Sequence, residues 1–454
     1  MPNKLWKGQW DAAAIASVVL LAFAFAFGGA SREHALRLAL VELAALPVLV
    51  LATTRLIQTG SWRDHRLAIG LVAGIIGLLA FQLIPLPPAV WLALPGRDQL
   101  GLALQLAGVE PGWSPLSLTP EKTWQSTLAL APPLAMFTAT LTLDQPQHAR
   151  LVRLCIAAAL AGVLLGTAQL VNGGTQLYLW ATTGAGSVAG FFANRNHLAS
   201  FVLTALPFPI IWGAAALRRS DPRTLPLWLG ALFSALVVVA LAAIRSRAGI
   251  VLFPPVVIAS LLAAWIASGR GRPSRQLLIV IGVIAAALTA VAVLGLSPIL
   301  ARFDTQGAPE TRFERWPFVA ETAETYLPLG SGVGSFDAVY RSVEPLGELD
   351  GTFFNQAHNE YLELWLETGW VGAIILVVFF AWYARRCWSA WRGPPSRERD
   401  LQRGASIGIG VLLLHSISDY PLRTLALAVV FALCCALLEL AQRPDRVQGR
   451  QNPV

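Results

Sequence analysis

Long apolar stretches recur along the chain and are separated by short polar connections. Each runs for about 18 to 22 residues, the length a helix needs to cross the hydrocarbon core of a bilayer. Leu, Ala, Val and Ile fill them without the two-residue alternation of a membrane strand, so they predict helices. We place twelve spans near residues 11–30, 35–53, 67–84, 123–143, 150–171, 197–217, 225–244, 249–267, 277–296, 361–383, 404–418 and 424–442. The pattern predicts an all-α, polytopic transmembrane bundle with one large, partly helical outside loop.

Composition agrees with this assignment. Of the 454 residues, 55% are hydrophobic and only 13% are charged, whereas soluble domains carry about 25% charged residues. The chain therefore has too little polar material to cover a water-exposed surface. The first apolar run follows Lys4 and Lys7 and predicts a signal-anchor helix that is retained after insertion.

Basic residues are unevenly distributed between the two sides of this arrangement. Roughly two thirds of the 34 Lys and Arg residues fall in the connections on the side of the termini. By the positive-inside rule, that side is cytoplasmic and both termini lie there. The net charge of +8 thus reflects orientation in the membrane and does not indicate nucleic-acid binding. No Cys/His metal spacing occurs, and the four cysteines are predicted as apolar filler in spans or on the cytoplasmic side: Cys155, Cys387, Cys434 and Cys435.

The chain is predicted to divide into three regions. They are an N-terminal transmembrane bundle of about nine spans at 1–296, a large periplasmic loop at 297–360, and C-terminal transmembrane helices with a cytoplasmic tail at 361–454. The N-terminal bundle includes a second long periplasmic loop at 85–122, rich in Pro, Leu and Trp. A loop as long as 297–360 in a compact membrane protein is usually functional or separately folded.

Short elements are predicted inside both loops. In the first loop, Asp98–Ala107 predicts a helix lying on the membrane interface. In the large loop, Thr311–Tyr326 predicts a helix, and Pro328–Gly334 predicts a turn in which glycines permit tight bends.

Arginines on the outer face are the first candidate functional residues, because basic residues are scarce there. Arg195 lies at the entrance of the sixth span, and Arg245 and Arg247 lie in a tight turn between two apolar helices. A single arginine there could simply anchor a helix end. Three at the mouths of adjacent helix pairs favour an anion site, because the guanidinium fork binds phosphate oxygens in pairs. The natural anion just outside an inner membrane is a lipid pyrophosphate.

His358 is the second candidate, at the point where the large loop enters the tenth span. Glu360, Glu363 and Glu367 follow it at helical spacing and predict one acidic helix face. A histidine can remove a proton from a sugar hydroxyl, and a neighbouring carboxylate can hold its tautomer. The alternative is an interfacial histidine with a structural role, which is also what we expect for the remaining two inner histidines, His197 and His415.

Four sequence blocks together resemble the O-antigen ligase and polymerase superfamily of bacterial envelope glycan assembly. They are Gly190–Ser200, Ser246–Gly249, Arg312–Trp316 followed by Pro328–Phe336, and His358–Gly372. The resemblance is close over about residues 185–380 and extends to the whole chain through the twelve-span layout. The last block is the most specific, with histidine, asparagine, leucine and glycine in the family's order.

The resemblance implies a metal-independent, inverting glycosyltransferase without a cofactor at the periplasmic face of the cell inner membrane. Its donor would be a glycan on undecaprenyl pyrophosphate, and its acceptor a hydroxyl of the lipid A core, of another lipid-linked glycan or of a protein. By position, His358 matches the family's essential histidine, and Arg195 and Arg247 match the arginines that hold the pyrophosphate. Possible supporting residues are Arg245, Asn194, Arg312, Trp316, Asn359 and Glu360.

Other functions compete with this interpretation. A polymerase that joins lipid-linked repeat units would share every one of these residues. A transporter of an anionic lipid or sugar would line its path with the arginines, but it would usually show internal repeats, and none is evident here. A binding or assembly subunit without catalysis would treat His358 as structural.

Overall fold

The fold is taken from a computed structural model. It describes residues 11–30, 35–173, 176–180, 188–218, 225–269, 311–345 and 354–440, with single positions at 278, 282, 285 and 347.

Helices follow one another along almost the whole described chain. The first half contains α1 (Ala12–Phe27), α2 (Ala35–Thr59), a 3-10 helix (Ser61–His65), α3 (Arg66–Gln82), β1 (Pro85–Leu86), α4 (Pro88–Trp91), α5 (Asp98–Leu106), β2 (Ser114–Pro115), α6 (Pro120–Leu128), α7 (Ala131–Thr142) and α8 (Gln145–Val171). The second half contains α9 (Arg195–Ala205), α10 (Pro207–Arg218), α11 (Leu225–Ile244), α12 (Arg247–Ala267), α13 (Thr311–Glu324), α14 (Phe336–Val343), α15 (Glu360–Arg392), α16 (Arg397–His415), a 3-10 helix (Pro421–Arg423) and α17 (Leu425–Glu439).

The helical, membrane-spanning prediction is confirmed. Seven described helices are long and apolar enough to cross a membrane: Ala35–Thr59, Ser61–Gln82, Gln145–Val171, Arg195–Leu217, Leu225–Ile244, Arg247–Ala267 and Glu360–Arg392. Two shorter apolar helices are Ala12–Phe27 and Leu425–Glu439. In the described chain the strands form a single antiparallel pair, β1 with β2. The total of twelve spans stays a prediction, and the span near 277–296 lies almost wholly outside the described residues.

Prolines divide two of the predicted spans. The span at 123–143 is two helices, because α7 starts afresh at Ala131 with Pro132 and Pro133 in its first turn. The span at 197–217 is likewise divided before Pro207. Proline lacks the N–H that a helix interior needs but fits a first turn, so each break falls where a new helix can begin. The predicted loop helices agree with α5 and α13 to within two residues.

Helix α9 lies at the centre of the bundle. All of its residues from His197 to Ala205 are buried, as expected for an apolar helix surrounded by other helices. By contrast, α3 and α15 leave large apolar side chains exposed, including Ile75, Ile76, Ile374 and Val377. Such faces suit a lipid environment.

The end of α1 fixes the approach to α9. The carbonyl of Gly29 accepts from the backbone N–H of Ala193 at 3.0 Å, and that of Gly28 accepts from Ala426 at 3.0 Å. A Cβ at Gly29 would lie 2.0 Å from the Phe191 carbonyl oxygen, so only glycine fits. Two adjacent carbonyls thus tie the start of α17 to the chain that enters α9.

A second hydrophobic cluster, here called the loop core, covers the start of α15. It contains Val319, Ala323, Tyr326, Phe336, Val339, Tyr340, Ala357 and Leu366. These residues come from α13, α14 and the chain around the first turns of α15. The loop core therefore docks the large loop onto the bundle immediately beside His358.

The predicted glycine-rich turn locks into a break inside α15. Three of its glycines have positive φ: Gly330, Gly332 and Gly334. Gly369, at φ +53°, interrupts α15, and the N–H of Trp370 donates to the Pro328 carbonyl at 2.9 Å. A Cβ at Gly369 would lie 2.3 Å from that carbonyl oxygen. The break gives the turn a fixed place against α15, and with it the helix α13 that precedes the turn.

Candidate functional site

His358 lies beside a buried carboxylate that the sequence interpretation did not single out. Its Nδ1 is 3.4 Å from Oδ1 of Asp419, and the side chains of the two residues are 17% and 1% exposed. Among the described residues, Nε2 of His358 has no hydrogen-bond partner. The carboxylate favours the tautomer with its proton on Nδ1, which leaves the Nε2 lone pair to act as a base.

Asp419 is held by further donors. Asn196 Nδ2 donates to its Oδ2 at 2.7 Å, Asn194 Nδ2 donates to the same atom at 3.4 Å, and the backbone N–H of Tyr420 donates to Oδ1 at 3.0 Å. Burial alone raises the pKa of Asp419, but the hydrogen bond with His358 and the surrounding histidines hold this pKa well below its usual range. The carboxylate therefore stays ionised and can stabilise an imidazolium.

The two asparagines that hold Asp419 flank Arg195. Asn194 is the N-cap of α9, and its Oδ1 accepts from the backbone N–H of Asn196 at 2.8 Å. Asparagine is a preferred N-cap because its side chain satisfies an otherwise unpaired helix N–H. The Asn-Arg-Asn sequence thus starts the helix and contacts the Asp419 carboxylate beside His358. Arg195, between the two asparagines, lies in the same turn of chain.

Arg247 begins the neighbouring helix α12. Its N-cap is Ser246, whose Oγ accepts from the N–H of Gly249 at 3.1 Å. A Cβ at Gly249 would lie only 2.9 Å from the Cβ of Ala199 in α9. Ala199 is about one turn after Arg195, so the first turns of α9 and α12 lie side by side. The two helix starts therefore meet at one end of the bundle, and each N-terminus adds positive potential there.

The backbone of His358 has an uncommon conformation. Its φ is +49°, in the left-handed region, which costs a residue other than glycine on the order of 1 kcal/mol. Helix α15 begins at Glu360, so His358 lies before the helix and not inside its start. The indole Nε1–H of Trp316 donates to the carbonyl of Ala357 at 3.0 Å, which brings this residue of the large loop to the peptide just before His358.

The other predicted supporting residues have separate places. Asn359 is the N-cap of α15 and accepts from the N–H groups of Tyr361 and Leu362 at 3.1 and 3.2 Å. Glu360 accepts a hydrogen bond from the Ser416 hydroxyl. Arg245 is exposed, with φ +55°, in the turn between α11 and α12. The side chain of Arg312 lies outside the described residues.

Two members of the predicted acidic face of α15 are buried. Glu363 and Glu367 are 0% and 1% exposed and both pair with Arg423, at 3.3 and 2.9 Å. They belong to a buried ion-pair cluster, which needs a cation to offset the loss of hydration. The carboxylate next to His358 comes instead from Asp419.

The two inner histidines lie close to Asp419 but in the interior. His415 Nδ1 is hydrogen-bonded to the Ser200 hydroxyl, and the ring of His197 packs edge-on to Tyr420 at 5.3 Å. Within the described chain, no group of three His, Cys, Asp or Glu side chains is arranged to hold a metal ion.

Asp419, Asn196 and Arg423 were missed from sequence. A signal existed for Arg423, because it lies in the short turn between the last two predicted spans, on the predicted outer face where basic residues are scarce.

Comparison with known families adds the remaining observation. Residues 232–377 match the family described as O-antigen ligase. This segment, here called the ligase domain, is similar to that family. The ligase domain includes Arg247, Trp316 and His358, whereas Arg195 and Asp419 lie outside it. No curated protein matches the chain. The match and the seven candidate spans of the described chain support a multi-pass membrane enzyme of the ligase and polymerase type.

Proposed function

We propose that this protein transfers a glycan from undecaprenyl pyrophosphate to an acceptor hydroxyl, such as one on the lipid A core, at the periplasmic face of the inner membrane. The observation that carries the proposal is the contact of His358 with the ionised Asp419, next to the helix start that bears Arg195. This contact supports a base at His358 near an anion site at Arg195. Both are needed for displacement of a pyrophosphate by a hydroxyl.

His358 acts on the acceptor hydroxyl. Its Nε2 removes the proton from the acceptor hydroxyl as that oxygen attacks the anomeric carbon of the donor sugar. Asp419, on the opposite ring nitrogen, stabilises the imidazolium that forms. One displacement inverts the anomeric centre, so the mechanism needs no second carboxylate to form a covalent sugar intermediate.

Arg195 and Arg247 act on the leaving group. As the bond from the anomeric carbon to the pyrophosphate oxygen breaks, the electron pair leaves with the lipid pyrophosphate. Guanidinium groups at the starts of α9 and α12 stabilise the charge that grows there. Binding by a planar fork also orients the leaving group for in-line attack.

The proposal predicts stoichiometric transfer by the purified protein. In proteoliposomes with lipid-pyrophosphate-linked glycan and lipid A core, one undecaprenyl pyrophosphate should be released per glycan transferred, with inverted linkage and in the presence of EDTA. Chromatography of the lipid product and NMR of the linkage measure both. Lengthening of the lipid-linked glycan without transfer to lipid A core would identify a polymerase, and loss of all turnover with EDTA would contradict the metal-independent mechanism.

Removing the charge of Asp419 should slow transfer without abolishing it. Asp419→Asn should cost roughly 10–10² in kcat, because an outer partner that fixes tautomer and orientation is lost. The matched control is Asp337→Asn, which removes the charge of a partly exposed carboxylate paired with Arg341 on the loop helix α14 and should change the rate little. Equal rates for both variants, measured at matched protein levels, would remove Asp419 from the mechanism.

A further inference from the structure

Ala357, the residue that precedes His358, is held from both sides by side chains of other elements. Ala357 is fully buried, and its N–H donates to Oε2 of Glu363 at 3.2 Å. Its carbonyl accepts from the indole N–H of Trp316 at 3.0 Å. The carbonyl of Ala357 and the nitrogen of His358 belong to one rigid peptide plane. Fixing that plane therefore fixes where the imidazole begins.

Glu363 is itself anchored to the turn that carries Asp419. Its Oε1 lies 3.3 Å from Nη2 of Arg423, and Arg423 also pairs with Glu367. Arg423 and Asp419 belong to the same short turn between α16 and α17. This turn thus contacts both the ring of His358, through Asp419, and the backbone before His358, through Arg423 and Glu363. It therefore defines the position of one relative to the other.

Trp316 connects this arrangement to the large loop. It lies on α13, and its ring packs edge-on to Phe313 at 4.7 Å. A left-handed residue persists only where the surroundings determine it. Of the two hydrogen bonds that hold Ala357, the one from Trp316 is made to the carbonyl of the peptide that joins Ala357 to His358, and it comes from a helix of the loop.

We propose that Trp316 is a positioning residue for the base. Its indole N–H fixes the peptide that joins Ala357 to His358, and Glu363, anchored by Arg423, holds the N–H of Ala357. The large loop then acts directly on the geometry of proton removal, in addition to any contact with the glycan or acceptor. This inference rests on the proposed function, because it needs His358 to be the base.

The test removes only the indole N–H. Trp316→Phe in the full-length protein should lower kcat roughly tenfold to a hundredfold, because small misplacements of a catalytic group cost that much. The KM for the lipid-linked donor should stay within about twofold, since the arginines are untouched. Trp91→Phe is the matched control: Trp91 is buried in the other loop, and its Nε1–H donates to the Gly112 carbonyl at 2.9 Å. That variant should keep both parameters.

A double-mutant cycle separates positioning from general damage to the loop. In a His358→Ala background, Trp316→Phe should cause no further loss of the residual rate, because its effect runs through the missing imidazole. The same fold-loss in both backgrounds would overturn the proposal. Should His358→Ala alone keep its rate, the proposed base has failed, which is a different outcome from failure of Trp316.

A second variant guards against misfolding. Benzothienylalanine at position 316 keeps the bicyclic ring of tryptophan and replaces its N–H with sulfur. It should reproduce the kcat loss of Trp316→Phe with unchanged thermal stability in detergent. Wild-type kcat in this variant would show that ring packing, and not the hydrogen bond to Ala357, is what matters, and would contradict the inference.

Discussion

His358→Ala should lower the transfer rate by about 10²–10⁴, or about 3 to 5 kcal/mol in the transition state. In the proposed mechanism the imidazole takes the acceptor proton, and the Asp419 carboxylate beside it stabilises its charged form. Donor binding should survive, because the two arginines remain. Purified variant in proteoliposomes, with donor binding and turnover measured separately, gives both quantities.

Donor binding supplies the control for this variant, because loss of a base alone lowers the rate and leaves the donor site intact. Retention of more than about a tenth of the rate, below the loss expected for a general base, or loss of donor binding as well, would make His358 structural.

Arg195→Ala and Arg247→Ala should each abolish measurable transfer, with losses of at least about 10²–10³ in rate. Lysine should restore little at either position, because it acts as a point charge and cannot bind two phosphate oxygens at once. Both arginines begin helices whose first turns pack together. In the proposed mechanism they bind one pyrophosphate, so a change of shape at either position affects the binding of that anion.

A charge control on the same side of the protein is Arg341→Lys. Arg341 is exposed and pairs with Asp337 in α14, so its replacement should leave transfer unchanged. If the lysine variants of Arg195 and Arg247 turn over as fast as Arg341→Lys at matched expression, helix-end anchoring is the better explanation for both arginines.

Much of the architecture could be predicted because it depends on local signals. Apolar length predicts membrane helices whatever packs around them. The prolines and glycines of the large loop likewise predict its turn, and α13 agrees with the helix expected from Thr311 onward. His358 and the arginines at the starts of α9 and α12 are candidates by their positions in the sequence, and the family resemblance points to the same residues.

What could not be predicted depends on contacts between distant parts of the chain. Asp419 is 61 residues from His358, and no periodicity connects them. Helical spacing correctly placed Glu363 and Glu367 on one face, but the burial of that face follows from Arg423 in a turn after the next helix. The proposed role of Trp316 likewise depends on the left-handed backbone conformation of His358, which sequence alone does not reveal.

The ligase domain is not a self-contained module. Residues 232–377 include His358, but the carboxylate behind its ring and the Asn-Arg-Asn sequence that grips that carboxylate lie on either side of the domain. A chimera that exchanged only this domain between two relatives would join one protein's histidine to another's carboxylate and helix cap. A chimera that keeps these contacts intact must exchange the whole stretch from the start of α9 to the turn before α17.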